Sequence, residues 1–438
     1  MKILLFKIYQ FLKDIKNQYP LSPNKIFKEL KKSQYWSREK VEKFQLEKLN
    51  TLIHDAGKNS KFYNSSFKNL NLPLNDLNQF KSIIPFITKS DIIKNSKLLK
   101  GEGSLKSYKH STSGSSGDPL SVYISGMAEA YRKAGGLRFR DWWGIKPYEK
   151  SVLIWRYDNK TGGSLVDKLK KYFKSRYDIN VYGLNDETIK DHFENIEKIR
   201  PAYIRGYTSG VLEFARLLDK NNLSFKNAKF KVVIVTAENL FDHDRKYIER
   251  ILKCKVANEF GSAEAGLFAY ECPSGSMHIF EEANYIYNDK NLFAYMTEFF
   301  NDAMPLINYK NDDKIKVSND LCNCGRTLKV IEELAGRESG YIEKSDGTKL
   351  NQGILICLFI ELQEKGYSQA IEKFKVIQKG NKFDVYIVPL KNFDKEVENY
   401  IRKKMRSLIG ENIIIHFYLK DKIEREKSGK LRYFVRKE

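Results

Sequence analysis

A large α/β domain followed by a smaller, mobile α+β domain is predicted for this chain of 438 residues, on three observations. From about residue 150, short apolar runs alternate with stretches of helical periodicity, the pattern of a largely parallel sheet covered by helices. The C-terminal stretch instead places two alternating strands, one amphipathic helix and a further strand in succession. The length exceeds what one core serves, and 42% hydrophobic with 13% aromatic residues can fill two.

The N-terminal part, residues 1–80, reads as helical. Its opening MKILLFKIYQFLKDIKN stripes Ile3, Leu4, Phe6, Ile8, Leu12 and Ile15 along a basic amphipathic helix, a packed face. Lys7 interrupts the apolar run and no small-residue cleavage site follows, so a secretory signal is not indicated. No stretch approaches the roughly 18 apolar residues of a membrane span, and a cytoplasmic location is expected.

SVLIWRY (Ser151 to Tyr157) and PAYIRGY (Pro201 to Tyr207) read as buried strands, and the residues after the second place Val211, Phe214, Ala215, Leu217 and Leu218 on one helical face. KFKVVIVTAE is a third strand, the segment of Tyr247, Ile248, Ile251 and Leu252 a helix, and CKVANEFG a strand ending at Gly261. The domain boundary is expected near Gly336 to Gly347, giving domains 1–338 and 339–438. In the second, FKVIQ and FDVYIVPL form a hairpin about Gly380. A helix with Val397, Ile401, Met405 and Leu408 on one face follows, stopped by Gly410, and Ile413 to Leu419 is a strand.

The formal charge is +22, from 77 Lys and Arg against 55 Asp and Glu. Such a balance favours anionic partners, but Lys is spread along the whole chain and forms no stripe with interleaved aromatics, so no nucleic-acid partner is expected. A zinc-containing nucleic-acid-binding protein is the remote alternative that charge and cysteines raise. The five cysteines, an odd count, do not make a disulfide framework. Cys254 and Cys357 lie in apolar stretches and read as core strands. Cys272 with His278 in ECPSGSMH, and Cys322 with Cys324 in LCNCGR, form a plausible tetrahedral Cys₃His set for a structural Zn²⁺.

HSTSGSSGDPL, His110 to Leu120, concentrates glycine and hydroxyl side chains. Alone it fits a flexible linker as well as a loop that wraps an anion with backbone N–H groups and hydroxyls. No Gly-Lys-Ser/Thr follows, so it is not a Walker A loop. Three later stretches decide between the readings: NEFGSAEAG (Asn258 to Gly266), PLINYKNDD with GRES (Pro305 to Ser339), and KSGKLRYF (Lys427 to Phe434). In this order, over roughly residues 80–438, the four stretches resemble the core motifs of the adenylate-forming ligases. Within that superfamily the chain is most similar to the phenylacetate-CoA ligase group, including the CapK-like proteins of capsular polysaccharide biosynthesis.

The resemblance implies an AMP-forming carboxylate ligase that uses ATP and Mg²⁺. Thr112, Ser113, Gly114, Ser115, Ser116 and Gly117 would cradle the departing pyrophosphate. Phe260, beside Gly261, would stack on adenine, with Glu259 near its amino edge and Ala237 and Glu238 as weaker contacts. Glu264 would hold Mg²⁺. Asp313 and Arg337 would meet the ribose hydroxyls, with Asp312 a competitor for Asp313. Lys430 would stabilise charge on the α-phosphate and carboxylate. Ala263 stands where the family often has Thr, Asn308 and Lys310 replace arginines, and Ser339 with Gly340 stand where a hinge Asp pair is usual. The expected partners are a small-molecule carboxylate and, as acyl acceptor, coenzyme A. The alternative is acyl or aminoacyl transfer to an amine or hydroxyl in surface-polysaccharide assembly.

Overall fold

The computed structural model describes residues 19–101, 107–111, 120–155, 176–262, 264–337, 341–344, 346–352, 355, 358, 362, 370–425 and 431–437. The expected helix at residues 3–15, the loop 112–117, Ala263, Ser339, Gly340, Cys357 and Lys430 lie outside them.

Among the described residues, five helices precede the first strand: α1 (Pro23–Ser33), α2 (Arg38–Asn59), α3 (Lys61–Phe67), α4 (Leu77–Ile83) and α5 (Lys89–Leu99). Side chains that satisfy orphan N–H groups start most of them. Ser37 caps α2, Asp76 caps α4, and Thr88 with Asp91 forms a reciprocal capping box on α5. Strands β1 (Ser107–Ser111) and β2 (Ser121–Ser125) then pair antiparallel, Ser111 opposite Ser121. The Ser/Gly-rich stretch therefore connects two paired strands and is not a tether between domains.

After helix α6 (Gly126–Trp142) come β3 (Ser151–Trp155), β4 (Arg176–Asn180), α7 (Ile189–Ile199), β5 (Tyr203–Tyr207), α8 (Thr208–Lys220), β6 (Val232–Thr236), α9 (Asp242–Leu252) and β7 (Val256–Ser262). Six further strands follow: β8 (Gly266–Glu271), β9 (Met277–Ile279), β10 (Asn284–Asn288), β11 (Phe293–Glu298), β12 (Tyr309–Ser318) and β13 (Val330–Arg337). All but β1 and β2 join one 11-stranded sheet, in the order β10-β11-β12-β13-β9-β8-β7-β6-β5-β3-β4.

The stretch from β4 to β7 is parallel, as the alternation of strands and helices predicts. From β7 onward the determined pairings β7–β8, β8–β9, β9–β13 and β10–β11 are antiparallel, a half of the sheet that the sequence pattern does not announce. Several of its strands are short or buried on both faces, as in β9, where all of Met277, His278 and Ile279 are inside, so no alternation marks them; in β12 the buried face carries Asn311 and Asp313, which hides the alternation from a hydrophobic reading.

Helices on both sides bury the parallel half. Along β6, Val233 and Val235 pack into a core with Val211, Phe214 and Leu218 of α8, while Val232 and Ile234 face Ala134 and Phe139 of α6 and Leu30 of α1. Each such side chain contributes about 1.5–3 kcal/mol by leaving water. A third core packs α2 and α3 against the antiparallel half through Leu49, Ile53, Tyr63, Phe268, Met296 and Tyr309. Cys254 lies in the turn between α9 and β7 and not in a strand, because α9 ends at Leu252 with Lys253 left-handed.

The chain divides into two compact units, Met1–Asn311 with Ile315–Leu334, and Asp312–Lys314 with Ala335–Glu438. The second unit contains the hairpin β14 (Tyr341–Glu343) and β15 (Lys349–Asn351), then β16 (Ile371–Lys379), β17 (Lys382–Pro389), α10 (Lys395–Ile409), β18 (Ile414–Leu419) and β19 (Phe434–Lys437). The last four strands form a sheet in the order β18-β17-β16-β19. Gly380 and Asn381 turn the predicted hairpin, Asp394 caps α10, and the N–H of Gly410 closes it on the carbonyl of Arg406. Strand β19 was not expected; it pairs parallel to β16 immediately after KSGKLRY. No helix among the described residues is long and apolar enough to cross a membrane.

Candidate functional site

Three parallel strands set sequence-distant residues side by side. Tyr207 of β5 is in register with Thr236 of β6, which is in register with Glu259 of β7. The segments that leave these three strands therefore lie side by side at the carboxyl ends of the sheet, the end at which open α/β sheets bind ligands in a crevice. After β5 comes the first turn of α8, after β6 come Ala237 and Glu238, and β7 continues into Phe260 and Gly261.

Ala237 takes a left-handed backbone, φ +68°, a conformation that costs a non-glycine residue energy and turns the chain sharply off β6. The turn directs Glu238 onto the N-terminus of α8. Its carboxylate accepts the Ser209 N–H at 2.7 Å and the Ser209 hydroxyl at 3.0 Å, and its carbonyl accepts the Thr208 hydroxyl at 3.2 Å. An anion there satisfies orphan donors and meets the positive end of the helix dipole.

Glu259 is 3% exposed. Arg205 of β5 neutralises it, Nε and Nη2 reaching Oε2 at 2.9 and 2.6 Å. Burial lowers the Arg205 pKa, but Glu259 more than offsets this and the net shift is upward. The guanidinium also lies 5.7 Å from the Trp155 ring, which stacks on Tyr207 at 3.9 Å. Phe260 is half-buried, its ring tilted against Phe268 at 5.8 Å.

β7 and β8 are joined by a tight turn, Ser262 pairing with Gly266, and a register shift falls between Phe260 and Gly261. A Cβ on Gly261 would lie 2.4 Å from the Gly266 carbonyl oxygen, so only glycine fits. The turn presents Glu264, half-buried, whose Oε1 accepts the Tyr309 hydroxyl at 3.1 Å. A half-exposed single carboxylate suits Mg²⁺, which is commonly held by one or two carboxylates together with nucleotide phosphates. His110, at the end of β1, is close enough to feel the same carboxylate: burial and Arg132 lower its pKa, Glu264 raises it, and the net shift is downward.

Downstream, Tyr309, Asn311, Asp313 and Ile315 form the buried face of β12, whereas Asp312 is exposed. Asn308, left-handed at φ +52°, is held by Ile84, Thr297 and Tyr287. Lys310 places its ammonium 4.1 Å from the Phe293 ring.

The four predicted metal ligands come together. The donor atoms of Cys272, His278, Cys322 and Cys324 all lie within 4.8 Å of one another. Cys272 and Cys322 sulfurs are 3.7 Å apart, and His278 Nε2 is 3.2 Å from the Cys324 sulfur. His278 Nδ1 lies 3.1 Å from the Leu328 carbonyl, which fixes the ring and turns Nε2 into the cluster. Burial holds the imidazole neutral, its pKa pushed down to about 4, the form that binds a metal. The donor set matches a closed tetrahedral zinc site.

Of the predicted nucleotide residues, Ala237, Glu238, Glu259, Phe260, Gly261 and Glu264 lie on β7 or on the segments that follow β6 and β7. Thr112 to Gly117, Lys430 and the Arg337 side chain lie outside the described residues; the Arg337 backbone ends β13. Arg205, Arg132 and Glu298 carry no signal in the sequence alone. Their partners are far off in the chain: Arg205 meets Glu259 across the parallel strands, and Arg132 of α6 meets Glu298 of β11.

Residues 342–437 match the family model described as the CapK C-terminal domain. The chain is 27% identical over 405 residues to Protein CapK of Staphylococcus aureus, covering 86% of this chain and 85% of that protein. Among solved structures, 2-hydroxyisobutyryl-CoA ligase in the postadenylation state, in complex with R3-HIB-AMP, matches with a TM-score of 0.73 at 14% identity, over 92% of this chain and 91% of the other. The anthranilate CoA ligase AuaEII in complex with anthranoyl-AMP matches with a TM-score of 0.51 at 13% identity, over 74% of this chain and 64% of the other.

Proposed function

We propose that this CapK-like chain, whose fold is that of the adenylate-forming ligases, activates a small-molecule carboxylate with ATP and passes the acyl group to coenzyme A. In the first step a carboxylate oxygen attacks the α-phosphorus, the bond to the bridging oxygen of the β-phosphate breaks, and pyrophosphate leaves with the electron pair. In the second, the thiol gives up its proton and attacks the acyl carbonyl, and AMP is expelled.

One observation carries the reading: β5, β6 and β7 bring Ser209, Glu238 and the Glu259–Glu264 stretch to the same end of one parallel sheet. Thr112 to Gly117, between the paired strands β1 and β2, would wrap the departing pyrophosphate. Phe260 would offer its ring face to adenine. Glu259 and Glu238 are already engaged by Arg205 and Ser209, so they would shape the adenine pocket chiefly as fixed walls. Asp313 and Arg337 would take the ribose hydroxyls, and Lys430 would neutralise charge growing on the α-phosphate. Glu264 would hold Mg²⁺, which when bound draws charge from the phosphates. Cys272, His278, Cys322 and Cys324 would hold a structural zinc that braces the strands behind β7 and β8.

The test is pyrophosphate release across a panel of carboxylic acids, with and without coenzyme A. Acid-dependent release is expected, reduced about 100-fold or more in Lys430→Ala and Glu264→Gln, with an acyl-thioester forming only when coenzyme A is present. Absence of release with every acid would overturn the reading. Release without thioester, but with transfer to an added amine or hydroxyl compound, would move the acceptor to the alternative class.

A further inference from the structure

A buried ion pair lies beneath the turn that carries Glu264. Arg132 of α6 grips Glu298, the last residue of β11, through two parallel hydrogen bonds: Nε to Oε1 and Nη2 to Oε2, each 2.7 Å. The two side chains are 14% and 6% exposed. Replacing such a pair with apolar residues commonly leaves a fold as stable or more so, which makes stability a poor reason for it.

Its position suggests a different one. Gly266 closes the β7–β8 turn with φ +86°, and a Cβ on it would lie 2.6 Å from Arg132 Nε. The backbone of the turn thus rests directly on the guanidinium, and only glycine allows that approach. Within the turn the Ser262 hydroxyl accepts the Ala265 N–H at 3.2 Å, and the Glu264 carboxylate is held from the other side by the Tyr309 hydroxyl. Glu264, two residues from Gly266, thus accepts the Tyr309 hydroxyl on a turn whose Gly266 end rests on Arg132. Because Glu298 takes two parallel bonds along the Nε–Nη2 edge, the orientation of the guanidinium under Gly266 is fixed.

We propose that Arg132, locked by Glu298, is a positioning residue that sets where Glu264 presents its carboxylate to the magnesium–nucleotide complex. This rests on the adenylation reading for the identity of the ligand, but not for the mechanics of the turn. Outer-shell partners of metal-binding carboxylates typically set affinity by 10- to 100-fold.

The experiment uses the full chain and two readouts: the Mg²⁺ concentration that half-saturates ATP binding by calorimetry, and amide hydrogen exchange across residues 258–270. Arg132→Lys keeps the charge and loses the paired hydrogen bonds to Glu298; it is expected to raise the Mg²⁺ requirement about tenfold and to speed exchange in the turn. In a Glu264→Gln background the same substitution should leave the Mg²⁺ requirement unmoved, since the carboxylate through which it acts is gone. A purely structural role would lower the unfolding midpoint equally in both backgrounds without that dependence. Should Arg132→Lys fail to fold, Gly266→Ala tests the same contact from the side of the turn, with both members of the ion pair still present in the chain, and the same two changes are expected. A folded variant with unchanged Mg²⁺ requirement, or with a shift undiminished by Glu264→Gln, overturns the proposal. If the wild-type chain binds no ATP with Mg²⁺, the adenylation reading fails separately. Exchange in the turn then decides: faster in Arg132→Lys supports the positioning role, and unchanged overturns it.

Discussion

A carboxylate at a site proposed to take an anionic nucleotide has to be neutralised before the nucleotide arrives, and Glu259 and Glu238 meet that demand differently. Glu259 has a cation, Arg205; Glu238 has the N-terminus of α8. The consequences of mutation differ accordingly. Arg205→Ala strands a buried charge and should cost about 3 kcal/mol, read as a lowered urea midpoint, whereas Glu238→Gln keeps an acceptor for Ser209 and should cost only about 1 kcal/mol. Equal losses would mean that Glu259 is not held by Arg205 in solution. Glu259, Phe260, Gly261 and Glu264 stand in one short contiguous stretch, so their shared place on β7 and its turn is readable from the sequence, while the nucleotide roles proposed for them rest on resemblance. Arg205 was not readable: it stands 54 residues before its partner, and β5 read alone is simply a buried strand. Glu238 was legible as a residue of the crevice, but its work as a helix cap was hidden, since the capped helix precedes it in the chain.

At the scale of elements, the β7–β8 hairpin and the Cys/His cluster are two stiff pieces of the antiparallel half. Gly261→Ala forces a methyl group against the Gly266 carbonyl; a loss of about 1–3 kcal/mol is expected in denaturant unfolding. The cluster should carry about one zinc per chain by elemental analysis, lost in the double variant Cys322→Ser with Cys324→Ser; metal-free folded wild-type protein would refute it. In chelator-treated protein His278 sets a pH dependence. Its pKa is about 4 when folded and about 6.5 when unfolded. The unfolded chain therefore takes up the proton first on acidification. The stabilisation is full above pH 6.5 and falls as pH drops toward 4, by about 2 kcal/mol at pH 5. A urea midpoint independent of pH between 7 and 5 would contradict the burial of this ring. The cluster was readable as four letters of the right kind, yet the strands holding it were not. β9 spans only Met277 to Ile279 and is buried throughout, so neither period nor length announces it.

For the whole molecule, the alternation of strand and helix correctly foretold the parallel half and the α+β character of the C-terminal unit. It could not foretell how many strands would join the same sheet. Net charge belongs to this scale as well. A chain of +22 draws anions from a distance, so the association rate for ATP with Mg²⁺ should fall several-fold between about 0.05 and 0.5 M salt; an unchanged rate would place the attraction in the crevice alone. The strand order carries a final consequence. β10, β11 and β12 reach the rest of the sheet only through β13, which alone separates them from β9. While the chain is being synthesised, the meander ending at Ser318 must wait, one edge open, until Val330 to Arg337 has left the ribosome. The last strand made among the eleven is the keystone between two half-sheets, and premature release just before it would leave two open edges seeking partners in other chains.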